Sequence, residues 1–147
     1  MPEAVMRKAA RADMRQIMRL QVSAFTGEQR IPAGDIALPD EKQPQWWCAE
    51  AGGRIVGAVA AWREDGQAHW GRFVVDPSLR GQHIGTRLAA HSLESLFAQG
   101  IDQIHIDARE TTVKILCAMG GRITGAPVPF YVGTVTPMVL EKARYRA

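Results

Sequence analysis

One segment of this chain has the composition of a phosphate-binding turn. It runs from Asp76 to Thr86 as Asp-Pro-Ser-Leu-Arg-Gly-Gln-His-Ile-Gly-Thr, between a β-type run and an amphipathic stretch that reaches Phe97. A glycine-containing turn that opens a helix directs unpaired backbone N–H groups outward at the positive end of the helix dipole, where phosphate binds. Arg80 adds fixed positive charge beside these groups. The segment therefore predicts a site for a phosphorylated cofactor.

Other phosphate-site and metal-site patterns fit this chain poorly. A Walker loop requires Gly-Lys followed by Ser or Thr, which this turn lacks. A doubly wound nucleotide-binding fold places its glycine loop after the first strand, whereas this turn follows the fourth predicted strand. The histidines lack the close paired spacing of a metal set, so no metal is expected; they are His69, His83, His91 and His105.

Length and composition are typical of one globular domain, which we expect to span residues 1–147. The two cysteines have neither metal-type nor disulfide spacing, and no N-terminal leader is recognisable, so a cytoplasmic location is expected. The longest apolar run, near residues 55–62, is too short to span a bilayer, so no membrane partner is expected. The net charge of +3 comes from scattered residues rather than a basic stripe, which argues against nucleic-acid binding.

The elements that must position the turn are predicted in the order β-α-loop-β-β-β-α-β-α-β-β. An apparent capping box at Asp13 and Gln16 opens the first helix, and Gly52-Gly53 marks a hairpin. Strand, helix and strand around the turn imply a right-handed crossover and a parallel pair. Strands are expected at 4–9, 46–51, 54–63, 67–76, 101–107, 122–125 and 134–140, and helices at 13–25, 85–99 and 113–119, with a long loop over 27–44. The predicted class is mixed α/β.

In these features the chain resembles the GNAT acyltransferase superfamily. The turn of that family reads Arg/Gln-x-x-Gly-x-Gly/Ala after a Val-x-Pro strand end; this chain has Val75-Asp76-Pro77 and then Arg80-Gly81-Gln82-His83-Ile84-Gly85. The segment 107–113 is similar to the start of the second cofactor-contacting helix, and 25–32 resembles the substrate-side loop of one subgroup. The resemblance implies a central, mostly antiparallel sheet with a splayed parallel strand pair and helices on both faces.

The resemblance further implies acyl transfer, usually of acetyl, from acetyl-CoA to a primary amine, here of a small molecule. The pyrophosphate would lie on backbone N–H groups of the turn, and the pantetheine arm would pair with the fourth strand like an added strand. A backbone N–H there would donate to the thioester carbonyl as negative charge develops on it. The expected cofactor-binding residues are Phe73, Val74, Val75, Arg80, Gly81, Gln82, His83, Ile84, Gly85, Thr86, Arg109 and Thr112.

Three positions depart from the family pattern. His83 stands where the family has glycine; either it keeps helical angles with its ring outward, or its ring touches phosphate or adenine of the cofactor. Leu116 matches a position where many members place a tyrosine that protonates the departing thiolate. Arg109 matches a family asparagine, and it either pairs with cofactor phosphate or lies solvated at a helix start.

Candidate proton-transfer groups are Glu28, then His105, then Asp107. Glu28 lies in the loop that, by resemblance, walls the acceptor pocket, and the other two project from one face of the fifth strand. Tyr131, between the last two strands, is a candidate substitute for the missing tyrosine acid. Each also has an ordinary alternative as a solvated, hydrogen-bonded or packing residue.

The expected function is that of an acetyl-CoA-dependent N-acetyltransferase. Two alternatives stay open, an acyl-CoA thioesterase on the same scaffold and a non-catalytic acyl-CoA-binding module. The final strands also leave an edge that is able to pair with a second copy, so a homodimer is one expected assembly.

Overall fold

The sheet is built around a meander of three long antiparallel strands. The computed structural model describes residues 3–28, 38–79 and 82–147. In these ranges the strands are β1 Val5–Lys8, β2 Gln45–Ala51, β3 Arg54–Glu64, β4 Gln67–Val75, β5 Gln103–Ala108, β6 Arg122–Ile123, β7 Val128–Phe130 and β8 Gly133–Glu141. The order across the sheet is β1-β2-β3-β4-β5-β8-β6, with β7 paired to β8. The mixed α/β class is confirmed.

Two tight turns make the meander antiparallel. Gly52 and Gly53 join β2 to β3 with φ of +59° and +78°, and Asp65 and Gly66 join β3 to β4 with φ of +52° and +74°. Positive φ at both central residues gives a turn whose twist matches that of the flanking strands, which is why glycine suits these positions. The predicted hairpin at Gly52-Gly53 is therefore confirmed.

One parallel contact interrupts the otherwise antiparallel sheet. β4 and β5 run parallel, and the helix α2, Ile84–Ala98, connects them across one face. Gly100, with φ +92°, follows the helix and lets the chain reverse into β5. The predicted parallel pair and its connecting helix are confirmed, and this connection brings the segment after β4 to the same edge of the sheet as the end of β5.

Helices cover both faces of the sheet. On one face α1, Met14–Gln21, and the π-helical segment Val22–Glu28 pack on β2 and β3, with Ile17 and Phe25 buried against Trp46. On the other face α2 and α3, Glu110–Ala118, pack on Trp47, Trp70 and Ile104. No helix in the described ranges is long and apolar enough to cross a membrane.

The structure corrects two local predictions. The capping box of Asp13 with Gln16 is wrong: the Asp13 carboxylate accepts from the backbone N–H of Ala10, and Gln16 accepts from the N–H of Ile55. The predicted strand over 122–125 ends at Ile123, and the additional short strand β7 pairs with the start of β8. The pattern missed β7 because three residues carry too little alternation to distinguish a strand from a loop.

Arg7 and Asp13 fasten the first strand to the start of α1. Arg7 donates to both carboxylate oxygens of Asp13, at 2.7 and 3.0 Å, and its Nη2 also donates to Glu50 at 2.7 Å. The Arg7 guanidinium, followed by the Ala10 N–H, lowers the pKa of Asp13 to about 2. Since the folded pKa lies below the ordinary value of 3.8, this network stabilises the fold above pH 4 and is lost as the pH falls toward 2.

We expect Asp13→Asn to lower the melting temperature at pH 7 and to have a smaller effect near pH 2.5. The substitution removes the charge that Arg7 pairs with. Near pH 2.5, which lies between the folded pKa of about 2 and the ordinary value of 3.8, the carboxyl of the unfolded chain is largely protonated, so the wild type has already lost much of this stabilisation. Thermal unfolding followed by circular dichroism at both pH values measures the difference. Asp40→Asn, at an exposed residue of a short loop helix, is the control. An equal drop in melting temperature at both pH values would show that Asp13 does not stabilise the fold through its charge pairing with Arg7.

Candidate functional site

A cleft opens where β4 and β5 stop pairing. The parallel pair has only two partnered positions, Ala68 with Ile104 and His69 with His105, although both strands continue beyond them. A cavity of about 570 Å³ lies at this end of the pair. Its walls are Ala24, Phe25, Phe73, Val74, Val75, His83, Ile84, Gly85, Thr86, Arg109, Thr111, Thr112 and Ile115. The splay places the ends of two strands and the starts of two helices around one space.

β4 carries a bulge at the cavity. Its Val74 pairs with Ala58 and its Gly71 pairs with Ala60, so two residues, Arg72 and Phe73, lie opposite the single residue between those partners on β3. Arg72 has a φ of +57°. Gln21, fully buried on α1, donates from Nε2 to the carbonyl oxygen of Arg72 at 2.6 Å. A bulge re-aims the backbone groups of its strand, and here Gln21 holds it in place.

The start of α2 presents unpaired N–H groups to the cavity. The first hydrogen bond of this turn runs from the Arg87 N–H to the His83 carbonyl, so the N–H groups of Ile84, Gly85 and Thr86 have no acceptor within the helix. His83 makes no side-chain cap, and the first turn contains no acidic residue. An anion at this end would therefore meet three backbone donors and the positive end of the helix dipole.

The backbone of His83 differs from the expected one. It has φ +61° and ψ +15°, so the expectation of right-handed helical angles is wrong. Glycine occupies this left-handed region without strain, which explains why the family pattern has glycine at this position. His83 is exposed and lies in the cavity wall, where its ring is available to a bound ligand.

Gly85 lets the helix start approach β4 closely. A Cβ atom added to Gly85 would lie 3.3 Å from Cζ of Phe73 and 3.6 Å from Cγ2 of Val75. Both neighbours are cavity-wall residues on β4. The space beside Gly85 is thus open only because this position lacks a side chain, which fits a cradle for phosphate and an extended arm.

Several predicted site residues cannot be placed. Arg80 and Gly81 lie outside the described residues, as do residues 29–37 of the predicted long loop, which include the second half of the segment that resembles a substrate-side loop. Gln82 is exposed directly before His83. Glu28 ends the π-helical segment, three positions after the cavity residue Phe25, and its side chain lies outside the described part.

The start of α3 forms the far wall of the cavity. Arg109 is the residue before the helix, Thr112 is buried, and both line the cavity. Leu116 is fully buried in the core on the α2 side of the sheet, among Leu93, Ile104 and Ile106. The position that many family members fill with tyrosine therefore holds an apolar core residue.

Arg109 is not the solvated side chain that one alternative expected. Its guanidinium carbon lies 5.3 Å from the centre of the Phe130 ring, and its Nη2 is enclosed without a hydrogen-bond partner in the described part of the chain. Burial lowers the pKa of Arg109. An arginine nonetheless stays charged at neutral pH, so the cavity wall contains a partly desolvated cation.

The remaining proton-transfer candidates lie away from the cavity wall. His105 is half-buried, with its ring 5.6 Å from that of His69 and its Nε2 3.2 Å from Oε1 of Gln103. Asp107 is exposed on the same strand face. Tyr131, with φ +54°, is exposed in the turn between β7 and β8 and packs edge-on against Phe130 at 4.8 Å. None of the three is among the lining residues of the cavity.

The residues predicted to bind the cofactor did not include four wall residues or the support of the bulge, although the family resemblance had singled out the segments 25–32 and 107–113, which contain two of the four. Ala24, Phe25, Thr111 and Ile115 line the cavity, and Gln21 holds β4. Phe25 was assigned to an amphipathic helix, but the change from α- to π-helical winding after α1 turns it toward the cleft. The sequence contained one signal for the role of Gln21. This polar residue follows the buried Ile17 by four positions, which places it on the apolar face of α1.

Comparisons with known proteins agree with this architecture. The model of the Acetyltransferase (GNAT) family matches residues 14–116. ElaA of Escherichia coli is 18% identical with a TM-score of 0.80, over 96% of this chain and 100% of that one. A GNAT-family acetyltransferase from Staphylococcus aureus Mu50 is 18% identical with a TM-score of 0.75, over 95% and 99%. Salmonella typhimurium yncA, whose structure holds acetyl-CoA as cofactor, is 16% identical with a TM-score of 0.74, over 99% and 97%. No curated protein sequence matches.

Proposed function

Since this chain belongs to the GNAT acetyltransferase family, we propose that it transfers an acetyl group from acetyl-CoA to the primary amine of a small molecule. The observation that carries the proposal is the cleft, in which β4 and β5 diverge beside an uncapped helix start. The phosphates of acetyl-CoA suit the uncapped helix start, and its amide-containing arm suits the space between the diverging strands. The sheet continues through β8, so we assign the function to one domain over 1–147.

In this proposal two walls of the cleft hold acetyl-CoA. The N–H groups of Ile84 to Thr86, with Arg80, Gly81, Gln82 and the ring of His83, bind the pyrophosphate. The backbone of Phe73 to Val75 pairs with the arm as a neighbouring strand would. Thr112, at the start of α3, closes the opposite side. Bound acetyl-CoA would supply its thioester as the acyl donor.

The β4 bulge serves the chemistry by presenting a backbone N–H to the thioester oxygen. A donor that is fixed before the reaction stabilises the negative charge that develops there, and such donors contribute about 10²–10³ in rate. Because Gln21 holds the carbonyl of Arg72, the peptide groups on either side keep their orientation. In this assignment Gln21 is a positioning residue.

The attacking amine must lose a proton. We assign that role first to Glu28, because it follows the cavity residue Phe25 by three positions, and we keep His105 and Asp107 as the alternatives. Leu116 supplies no acid for the departing thiolate, and a thiol with a pKa of about 8.5 leaves acceptably without one near neutral pH. Tyr131, in the turn between β7 and β8 and outside the cavity lining, is the remaining candidate acid.

A thiol-release assay with acetyl-CoA and a panel of amines tests the proposed function. We expect free thiol to form several-fold faster with at least one primary amine than without amine, together with an equal amount of N-acetylated product measured by mass spectrometry. Thiol release that amines do not raise would indicate a thioesterase instead. Tight acetyl-CoA binding with no turnover across the panel would indicate a binding module.

A further inference from the structure

Arg109 is a cation for which the described part of the chain provides no anion. No carboxylate among the described residues forms an ion pair or hydrogen bond with it, and its enclosed Nη2 has no partner. By contrast Arg7, Arg54 and Arg122 each pair with an aspartate or glutamate. Enclosing part of a charge without a partner costs free energy, and an anion at the accessible side of this half-buried guanidinium would offset that cost. The cavity wall therefore lacks one negatively charged group.

The direction of the Arg109 side chain identifies the region where that anion would bind. The guanidinium lies over Phe130, and Nη1 is so close to Gly133 that an added Cβ there would be 2.6 Å from it. Phe130 and Gly133 belong to the β7–β8 hairpin. In the sheet β8 lies beyond β5, whereas the phosphate-binding turn follows β4 on the other side of the cleft. The guanidinium thus extends away from the expected pyrophosphate position.

We infer that Arg109 binds a carboxylate on the acceptor, so that the substrates are amines that also carry a carboxylate, as amino acids do. This inference rests on the proposed function. Guanidinium and carboxylate match in a planar, two-bond arrangement, and the ring of Phe130 supports the guanidinium from one side. Phe130 and Tyr131 are 39% and 49% exposed, which leaves apolar surface beside the charge for the rest of the acceptor.

Matched pairs of amines test the inference. Phenylalanine is compared with phenethylamine, and alanine with ethylamine, using wild type and Arg109→Met. We expect the wild type to favour the carboxylate member of each pair by about 20-fold in kcat/KM, as for a hydrogen bond to a charged group. Arg109→Met should lose this preference, and Arg109→Lys should recover part of it. The two amines of a pair differ in pKa, but this difference affects wild type and variants alike, so it cancels when their kcat/KM ratios are compared.

The control is Arg122→Met, which removes an exposed arginine that pairs with Glu141 outside the cavity. It should keep the preference. Absence of a preference in the wild type, or a preference that survives Arg109→Met, would overturn the inference. So would a raised KM for acetyl-CoA in Arg109→Met with the amine preference intact, because Arg109 would then bind the cofactor phosphates.

Direct binding separates this inference from the proposed function. Calorimetry with the CoA-loaded protein compares N-acetylphenylalanine with N-acetylphenethylamine, which need no turnover. Tighter binding of the carboxylate, lost in Arg109→Met, supports the site even if no amine accelerates thiol release and the proposed function fails. If amines accelerate thiol release but neither assay shows a carboxylate preference, the proposed function stands and the inference falls.

Discussion

Gly85→Leu is expected to weaken acetyl-CoA binding at least about 100-fold, which corresponds to roughly 3 kcal/mol of binding free energy. Its Cβ would already lie 3.3 Å from Phe73, so the rest of a leucine side chain must enter the cavity between α2 and β4. That space is where the proposed pyrophosphate and pantetheine arm bind. Gly85→Ala, which adds only the Cβ, should have a much smaller effect. Isothermal titration calorimetry with acetyl-CoA measures both variants.

Gly57→Ala is the matched control for strain. A Cβ at Gly57 would also lie 3.3 Å from its nearest neighbours, Leu88 Cδ2 and the Val74 carbonyl oxygen, but Gly57 does not line the cavity. This variant should lose stability in thermal unfolding while binding acetyl-CoA nearly as the wild type does. If Gly85→Leu folds and binds acetyl-CoA with unchanged affinity, the cofactor does not occupy this space.

Gln21→Met should lower kcat about 100-fold, within the range found when an oxyanion donor is lost, while the KM for acetyl-CoA changes little. Methionine has a similar length but cannot donate to the Arg72 carbonyl, which Gln21 now does at 2.6 Å. Without that bond we expect the bulge to relax, so that the N–H proposed to donate to the thioester oxygen loses its alignment. The phosphate-binding turn on α2 is unaffected, so binding is largely retained. Steady-state kinetics with separate kcat and KM values measure this.

Gln16→Met provides the matched control for Gln21→Met. Gln16 is on the same helix and also bonds a strand backbone group, the N–H of Ile55 at 3.3 Å, but it does so away from the bulge. We expect near-normal kcat in this variant. Equal losses of kcat in the two variants would mean that Gln21 stabilises only the packing of α1, and a change confined to KM would remove its assigned role.

The turn and the element order were predictable because they depend on local sequence. Glycines at Gly52-Gly53 and Gly66 permit the positive φ of tight turns, and alternation of Ile104 and Ile106 with His105 and Asp107 indicates a strand with one buried face. The family pattern at Arg80–Gly85 then predicted the kind of cofactor. Each of these signals lies within about ten consecutive residues, which is the range over which backbone preference and side-chain period act.

What tertiary structure alone decided is which distant residues contact the elements that form the cleft. Arg109 meets Phe130, and Gln21 meets Arg72, across separations of 21 and 51 positions that no local pattern encodes. The left-handed backbone of His83 and of Arg72 likewise could not be predicted from the local sequence, since a positive φ is uncommon at residues other than glycine. Local preference thus determined the strands, helices and glycine-containing turn of this chain, and their packing determined which distant residues come together at the cleft.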